Sequence, residues 1–174
     1  QCSTDALVDM RNRRINHMDR YCAMIRERGM LPGLSTHGSE ALIYADETDL
    51  DVATYIQIYN AAGFLMHVEV DWIHNVIRNA KKPVIVIKPM AAGRLHPLVG
   101  MAFVWATIRP QDMVCVGTLT PDEAKELIDI SLQILENREA AVELQATRSK
   151  ASIEIAPSAP AKRPAARTAA SRAE

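Results

Sequence analysis

The sequence predicts a parallel α/β fold built from four strand–helix units, and three observations carry that expectation. The run Pro83 to Lys88 (PVIVIK) is apolar without alternation until its terminal lysine, the pattern of a strand buried on both faces of a parallel sheet. Strand-like and helix-like stretches alternate four times along the chain, at spacings that suit βαβ units. Each strand-like run ends in a turn containing polar residues or glycine, and α/β folds build their sites where strands end.

Taken in order, residues from about Thr4 to Gly29 predict one helix. Leu7, Met10, Ile15, Met18, Cys22 and Ile25 recur at three- to five-residue spacing among arginines and aspartates, and Gly29 supplies a C-terminal stop. Met30 to Ser35 is the first strand candidate, interrupted by Pro32 and Gly33. Ser39 to Ala45 follows as a short helix, and Asp49 to Asp51 as a turn. Val52 to Ile58 (VATYIQI) is rich in β-branched and aromatic residues and reads as the second strand. A loop over Tyr59–Gly63 leads to a helix from about His67 to Ala80, closed by Lys81, Lys82 and Pro83. Val84 to Lys88 is the third strand and Pro97 to Ile108 an apolar helix. Met113 to Gly117 (MVCVG) is the fourth strand, and Thr120 to about Arg138 the last helix. The domain so defined covers residues 1–146. From 147 to 174 the chain is rich in Ala, Pro, Ser and Arg, with too few large apolar residues to offset chain entropy, so a disordered tail is expected there.

Bulk properties narrow the function classes. The chain has 174 residues, 48% of them hydrophobic, and a net charge of -1. That balance gives no electrostatic case for nucleic acid or an anionic membrane as partner, and every apolar run breaks well before the 18 residues a bilayer span needs. A small-molecule substrate is the expected partner. Three cysteines, Cys2, Cys22 and Cys115, make no CxxC pair. They fit a reducing, cytoplasmic setting, with Cys115 expected as core inside its apolar strand. No spacing of His37, His67 and His74 makes a metal site, although His67 and Asp71 would share a helix face. Residue 1 is Gln, and the chain reads as a piece of a longer protein.

Strand ends gather on one side of a parallel sheet, so they are read together: Ser35-Thr36-His37, Gln57 with Tyr59-Asn60, Lys88, and Gly117-Thr118. The last junction carries the sharpest local signal. Thr120 is placed as N-cap, Pro121 at N1 and Glu123 at N3, a capping box with the preferred proline. The Gly117-Thr118 turn before it lets backbone N–H groups approach a ligand, and the helix N-terminus favours an anion. Arg94 would add a guanidinium to that region, while Asp122 and Glu123 oppose an anion. An ordinary capped helix beside a solvated arginine satisfies the same residues.

Four segments in this order, Gly33-Leu34-Ser35-Thr36-His37, Gln57-Ile58-Tyr59-Asn60, Lys88 to Leu95 (KPMAAGRL) and Gly117 to Glu123 (GTLTPDE), resemble the second half of the aldo-keto reductase barrel, its strands five to eight. The resemblance covers residues 5 to 140 approximately. It implies the C-terminal half of a (β/α)8 TIM barrel, an oxidoreductase that moves a hydride between a nicotinamide cofactor, NADP or NAD, and a carbonyl or sugar-like substrate. It further implies that Ser35 and Gln57 hold the nicotinamide carboxamide, with His37 near the family's asparagine. Lys88 to Leu95 would line the pyrophosphate, and Gly117 to Thr120 the adenosine end. The family's catalytic residues belong to the first half of its barrel and have no counterpart here. The nicotinamide-stacking aromatic is replaced by Lys88, and the basic residue for a 2′-phosphate by the Pro121-Asp122-Glu123 run. The cofactor-binding candidates are Ser35, Gln57, Asn60, Lys88, Arg94, Gly117 and Thr118.

Two rivals stand beside this reading. Lys88 at the end of an apolar strand could serve as a Schiff-base amine in a barrel lyase or aldolase; the plainer alternative is a packed stem with its ammonium in solvent. The chain could also be a non-catalytic binding module. Four βα units leave strand edges open, so the isolated half-barrel is expected either to self-associate as a dimer or to be poorly soluble.

Overall fold

The structure, a computed structural model, describes residues 2–137 of the chain. The tail expected over 147–174 lies outside the described residues. In chain order the elements are α1 (Cys2–Leu7), β1 (Val8–Asp9), β2 (Arg14–Ile15), α2 (Met18–Arg26), β3 (Gly33–Thr36), α3 (Ser39–Glu47), β4 (Thr54–Ile58), α4 (Val70–Asn79), β5 (Val84–Ile87), a 3₁₀ turn (Ala91–Gly93), α5 (Pro97–Thr107), β6 (Met113–Cys115) and α6 (Pro121–Leu135).

The single helix expected over residues 4–29 is instead a helix, a small antiparallel hairpin and a second helix. Asp9 causes the break. Its carboxylate accepts hydrogen bonds from the Asn12 backbone N–H (3.0 Å) and Nδ2 (2.8 Å), a local side-chain turn that competes with helical bonding. Arg13 and His17 then take left-handed backbone angles, φ 49° and 61°, and Arg13 pairs with Glu47 at the end of α3. The apolar spacing was real but served packing rather than helix continuity. Ile15 and Cys22 enter the core, with Leu7, Val8 and Met18 against it.

Strands β3 to β6 form a four-stranded parallel sheet in sequential order. Right-handed crossovers that always step in one direction place their connecting helices on one face, and burial follows that rule. The rows Leu34–Tyr55–Val84 and Thr36–Gln57–Val86 are fully or almost fully buried. They face a core that includes Leu42 and Ala45 of α3, Ile73 and Ile77 of α4, and Val104 of α5. On the other face Ser35, Ile56, Ile85 and Ile87 are partly exposed, while Met113 and Cys115 are exposed; Ile58 alone is closed over.

That pattern corrects two expectations. PVIVIK is buried on one face only, and Cys115 is a surface residue of β6 rather than core. Alternation is invisible in the sequence because both faces are apolar. A smaller cluster, Met101, Leu127 and Ile130 with Trp105 and Val116 against them, joins α5 to α6.

The end of the sheet opposite the carboxyl ends of the strands is tied by polar contacts. Asp112 accepts from the Val84 N–H (2.9 Å) and from the Arg109 backbone and guanidinium (2.9, 2.9 and 2.7 Å). Arg109 also donates to the carbonyls of Ala80 and Lys82. Beside it, the Tyr55 hydroxyl donates to Asp46 at 2.6 Å.

Candidate functional site

Two turns at the carboxyl ends of β5 and β6 enclose a cleft of about 550 Å³. The first begins at Lys88 and is conformationally unusual. Lys88, Ala91 and Ala92 have φ of 58°, 51° and 55°, and Gly93 follows at 80°. Bonds from Ala91 N to Lys88 O (2.9 Å), Gly93 N to Met90 O (2.9 Å) and Leu95 N to Met90 O (3.2 Å) hold it. Helix α5 braces it from beneath, since a Cβ built on Gly100 would lie 2.8 Å from the Pro89 carbonyl oxygen.

The second turn is Val116 to Leu119, which enters α6 through the expected capping box. Thr120 Oγ1 accepts from the Glu123 N–H at 3.2 Å, and Glu123 Oε2 accepts from Leu119 N (2.8 Å) and Thr120 N (3.3 Å). The carboxylate of Glu123 thus occupies the donors an incoming anion would use, and its charge opposes one. The cleft is otherwise largely apolar, lined by Ile87, Met90, Leu95, Pro97, Cys115 and Val116, with Lys88 as the single charged side chain among the described residues that line it.

Of the seven candidate binding residues, Lys88, Gly117 and Thr118 line this cleft. The other four sit elsewhere. Arg94 donates to Ala91 O (3.2 Å) and lies over the Phe64 ring at 3.9 Å, a cation–π contact. Asn60 is fully buried, its amide accepting from Phe64 N (2.9 Å) and donating to Phe64 O (3.0 Å), so it pins the loop after β4. Gln57 is buried on the helix-covered face; its Nε2 donates to Ile58 O at 3.3 Å and its Oε1 has no partner. Ser35 stands half-buried on the open face.

The contact that sequence reasoning missed joins two strand ends. Lys88 Nζ lies 3.3 Å from His37 Nε2. Burial first, and then the Lys88 ammonium, hold the His37 imidazole below the ordinary 6.5. A neutral His37 with its proton on Nδ1 accepts the Lys88 proton donor through Nε2. His67 stands alongside, its ring centroid 6.4 Å away.

A depressed histidine favours the native state above the unfolded pKa, and that stability is lost as pH falls toward the folded value. Stability is therefore expected to decline below about pH 6.5 before the carboxylates titrate, and His37→Gln is expected to flatten that segment. Urea midpoints between pH 8 and pH 5 check this; equal slopes for the two proteins would refute it.

A larger groove of about 690 Å³ lies between the hairpin, α2 and the α3–β4 turn. Two of its carboxylates are already engaged, Asp51 with Arg26 and Asp49 with Lys81. Among the described residues no cluster of His, Cys, Asp or Glu could hold a metal ion, and no helix is long and apolar enough to cross a membrane. No protein-family model matches the chain, and it matches no curated protein and no solved structure.

Proposed function

We propose that this chain is the cofactor-binding half of a carbonyl reductase barrel resembling the aldo-keto reductases, with the β5–β6 cleft as the seat of a nicotinamide dinucleotide, NADP or NAD. One observation carries the reading. The Lys88–Gly93 turn and the Gly117–Thr118 turn, which the resemblance assigns to neighbouring parts of one cofactor, form a single cleft at adjacent strand ends. Sequential parallel strands with helices on one face are compatible with the half-barrel this reading needs. Apolar walls suit the flat faces of the rings, and Lys88 offers a cation to a phosphate. A phosphate bound at the α6 N-terminus would first have to displace Glu123.

The test is a titration of the full chain with NADPH and NADH, followed by Trp72 and Trp105 fluorescence and by calorimetry. Saturable binding that Lys88→Ala weakens at least tenfold supports the reading. No binding at millimolar cofactor overturns it.

The Lys88–His37 contact favours a second reading, an amine that condenses with a carbonyl substrate. With its ammonium proton released to solvent, the Lys88 amine would add to the carbonyl carbon, His37 Nε2 would hold the amine in place, and the carbinolamine would lose water to give an imine. Borohydride with a small aldehyde or keto acid would then add mass at Lys88, and no adduct at that residue would end this alternative. Failure of both tests leaves a binding module without chemistry of its own.

A further inference from the structure

We infer that the β5–β6 cleft takes up an anion and a proton together, with His37 as the positioning residue. While neutral, His37 holds the Lys88 ammonium outside the cleft; once protonated, it releases that ammonium into the cleft. The inference deepens the cofactor reading by naming what controls its cation, and it rests on that reading only for the cleft as the site.

One side chain serves two places. Lys88 lines the cleft together with Gly93 and Gly117, whereas His37 does not. Yet Lys88 Nζ lies 3.3 Å from His37 Nε2, just beyond the end of β3. Strand β4 stands between β3 and β5, so Lys88 and His37 together bridge two strand spacings, about 10 Å, on the side away from β6. An anion in the cleft pairs directly with this charge only if the ammonium leaves His37.

The imidazole decides where the ammonium stays. A neutral His37 accepts through Nε2, while a protonated one has no lone pair to offer and adds a like charge. The lysine stem is flexible, so Nζ can swing toward β6 without moving the strained turn beneath it. Among the described residues, three other charged or titratable groups stand around His37. Asp5 of α1 favours its protonation but also accepts the Thr36 hydroxyl at 2.5 Å. His67, from the loop after β4, has its ring 6.4 Å away and opposes it. Glu40, in the first turn of α3, reaches the neighbouring Gly38. Burial first, and then Lys88, keep His37 neutral. An anion that draws Lys88 into the cleft removes the second of these, so anion and proton promote each other's binding by the same factor.

The experiment titrates the full chain with sulfate, an anion of constant charge over the range, and then with NAD+, at pH 8 and pH 5 and fixed ionic strength. Amide NMR signals of Gly93 and Gly117 report the cleft, and circular dichroism reports folding. The sulfate dissociation constant is expected to fall about fivefold or more at pH 5. Net charge alone would also tighten an anion in acid, so the variants decide. His37→Ala should bind sulfate at pH 8 as tightly as the wild type does at pH 5, a gain that a merely structural role would not produce. His37→Gln, whose amide oxygen accepts from the ammonium at either pH, should keep the weaker binding throughout. His67→Gln should respond to pH like the wild type. No sulfate response at the cleft overturns the inference, and so does weaker binding by His37→Ala at pH 8. A pH response that survives in His37→Gln, or disappears in His67→Gln, overturns it equally. Sulfate behaving as expected while NAD+ fails to bind ends the cofactor reading alone. NAD+ bound equally at both pH values, in the wild type and in His37→Ala, ends the inference alone.

Discussion

Replacing Asp112 with alanine is expected to destabilise the protein by about 3–5 kcal/mol, the effect of breaking a buried ion pair from one side. The Asp112 side chain is fully buried and Arg109 is only 15% exposed. Truncation leaves a guanidinium deprived of its counter-ion and the Val84 N–H without its acceptor. The loss propagates because Arg109 also fastens the carbonyls of Ala80 and Lys82, the residues that lead into β5. Against a typical domain stability of about 5–15 kcal/mol, the melting temperature should drop on the order of 10–25 °C. Chemical and thermal denaturation check this. A loss under about 1 kcal/mol would mean that Arg109 finds another partner and the ion pair does not hold the sheet.

The second large effect concerns the cleft. Gly100→Val puts a branched side chain where even a Cβ lies 2.8 Å from Pro89 O and 3.2 Å from Met90 Cα. Backbone cannot rotate away as a flexible side chain would, so the turn must shift. Overpacking of this kind costs roughly 1–3 kcal/mol, while removing glycine from a helix returns at most about 1 kcal/mol. The net expectation is a loss of about 1–2 kcal/mol in stability and a tenfold or greater loss of affinity for whatever the cleft holds. Gly117→Ala is the control, because nothing lies within 4 Å of a Cβ built there. It should fold normally, so any loss of binding would report contact with ligand. A Gly100→Val protein with wild-type stability and affinity would show that α5 does not set the turn.

Much of the fold was legible because it rests on local signals. The β-branched run at Val52–Ile58 contains β4, and the proline-led capping box marks where α6 begins. What the sequence concealed depends on distant partners. The Asp9 turn interrupts a pattern that is helical in every other respect, and its two bonds to Asn12 are the sort of competition periodicity does not register. The open face of β5 was hidden because Ile85 and Ile87 look the same in sequence whether covered or bare. At the site, strand-end placement brings Lys88, Gly117 and Thr118 to one cleft but leaves Arg94 and Asn60 outside it. Phe64 engages both, and nothing in the spacing announces that. His37 and Lys88 meet only because β3 and β5 flank β4 in register, a relation fixed by sheet geometry across 51 residues.

The turn after β5 also limits which substitutions the chain can accept. Lys88, Ala91 and Ala92 each occupy a left-handed backbone conformation that L-residues adopt at a cost on the order of 1 kcal/mol or more. Glycine would enter these positions without that strain, and asparagine or aspartate with little of it, whereas valine, isoleucine and threonine would meet the steepest barrier. Mutational drift at Lys88 is therefore channelled by the backbone before any selection on chemistry begins. A lysine retained among related chains at this position would accordingly say more about function than one retained on a helix, because the conformation itself favours exchanging it for something smaller.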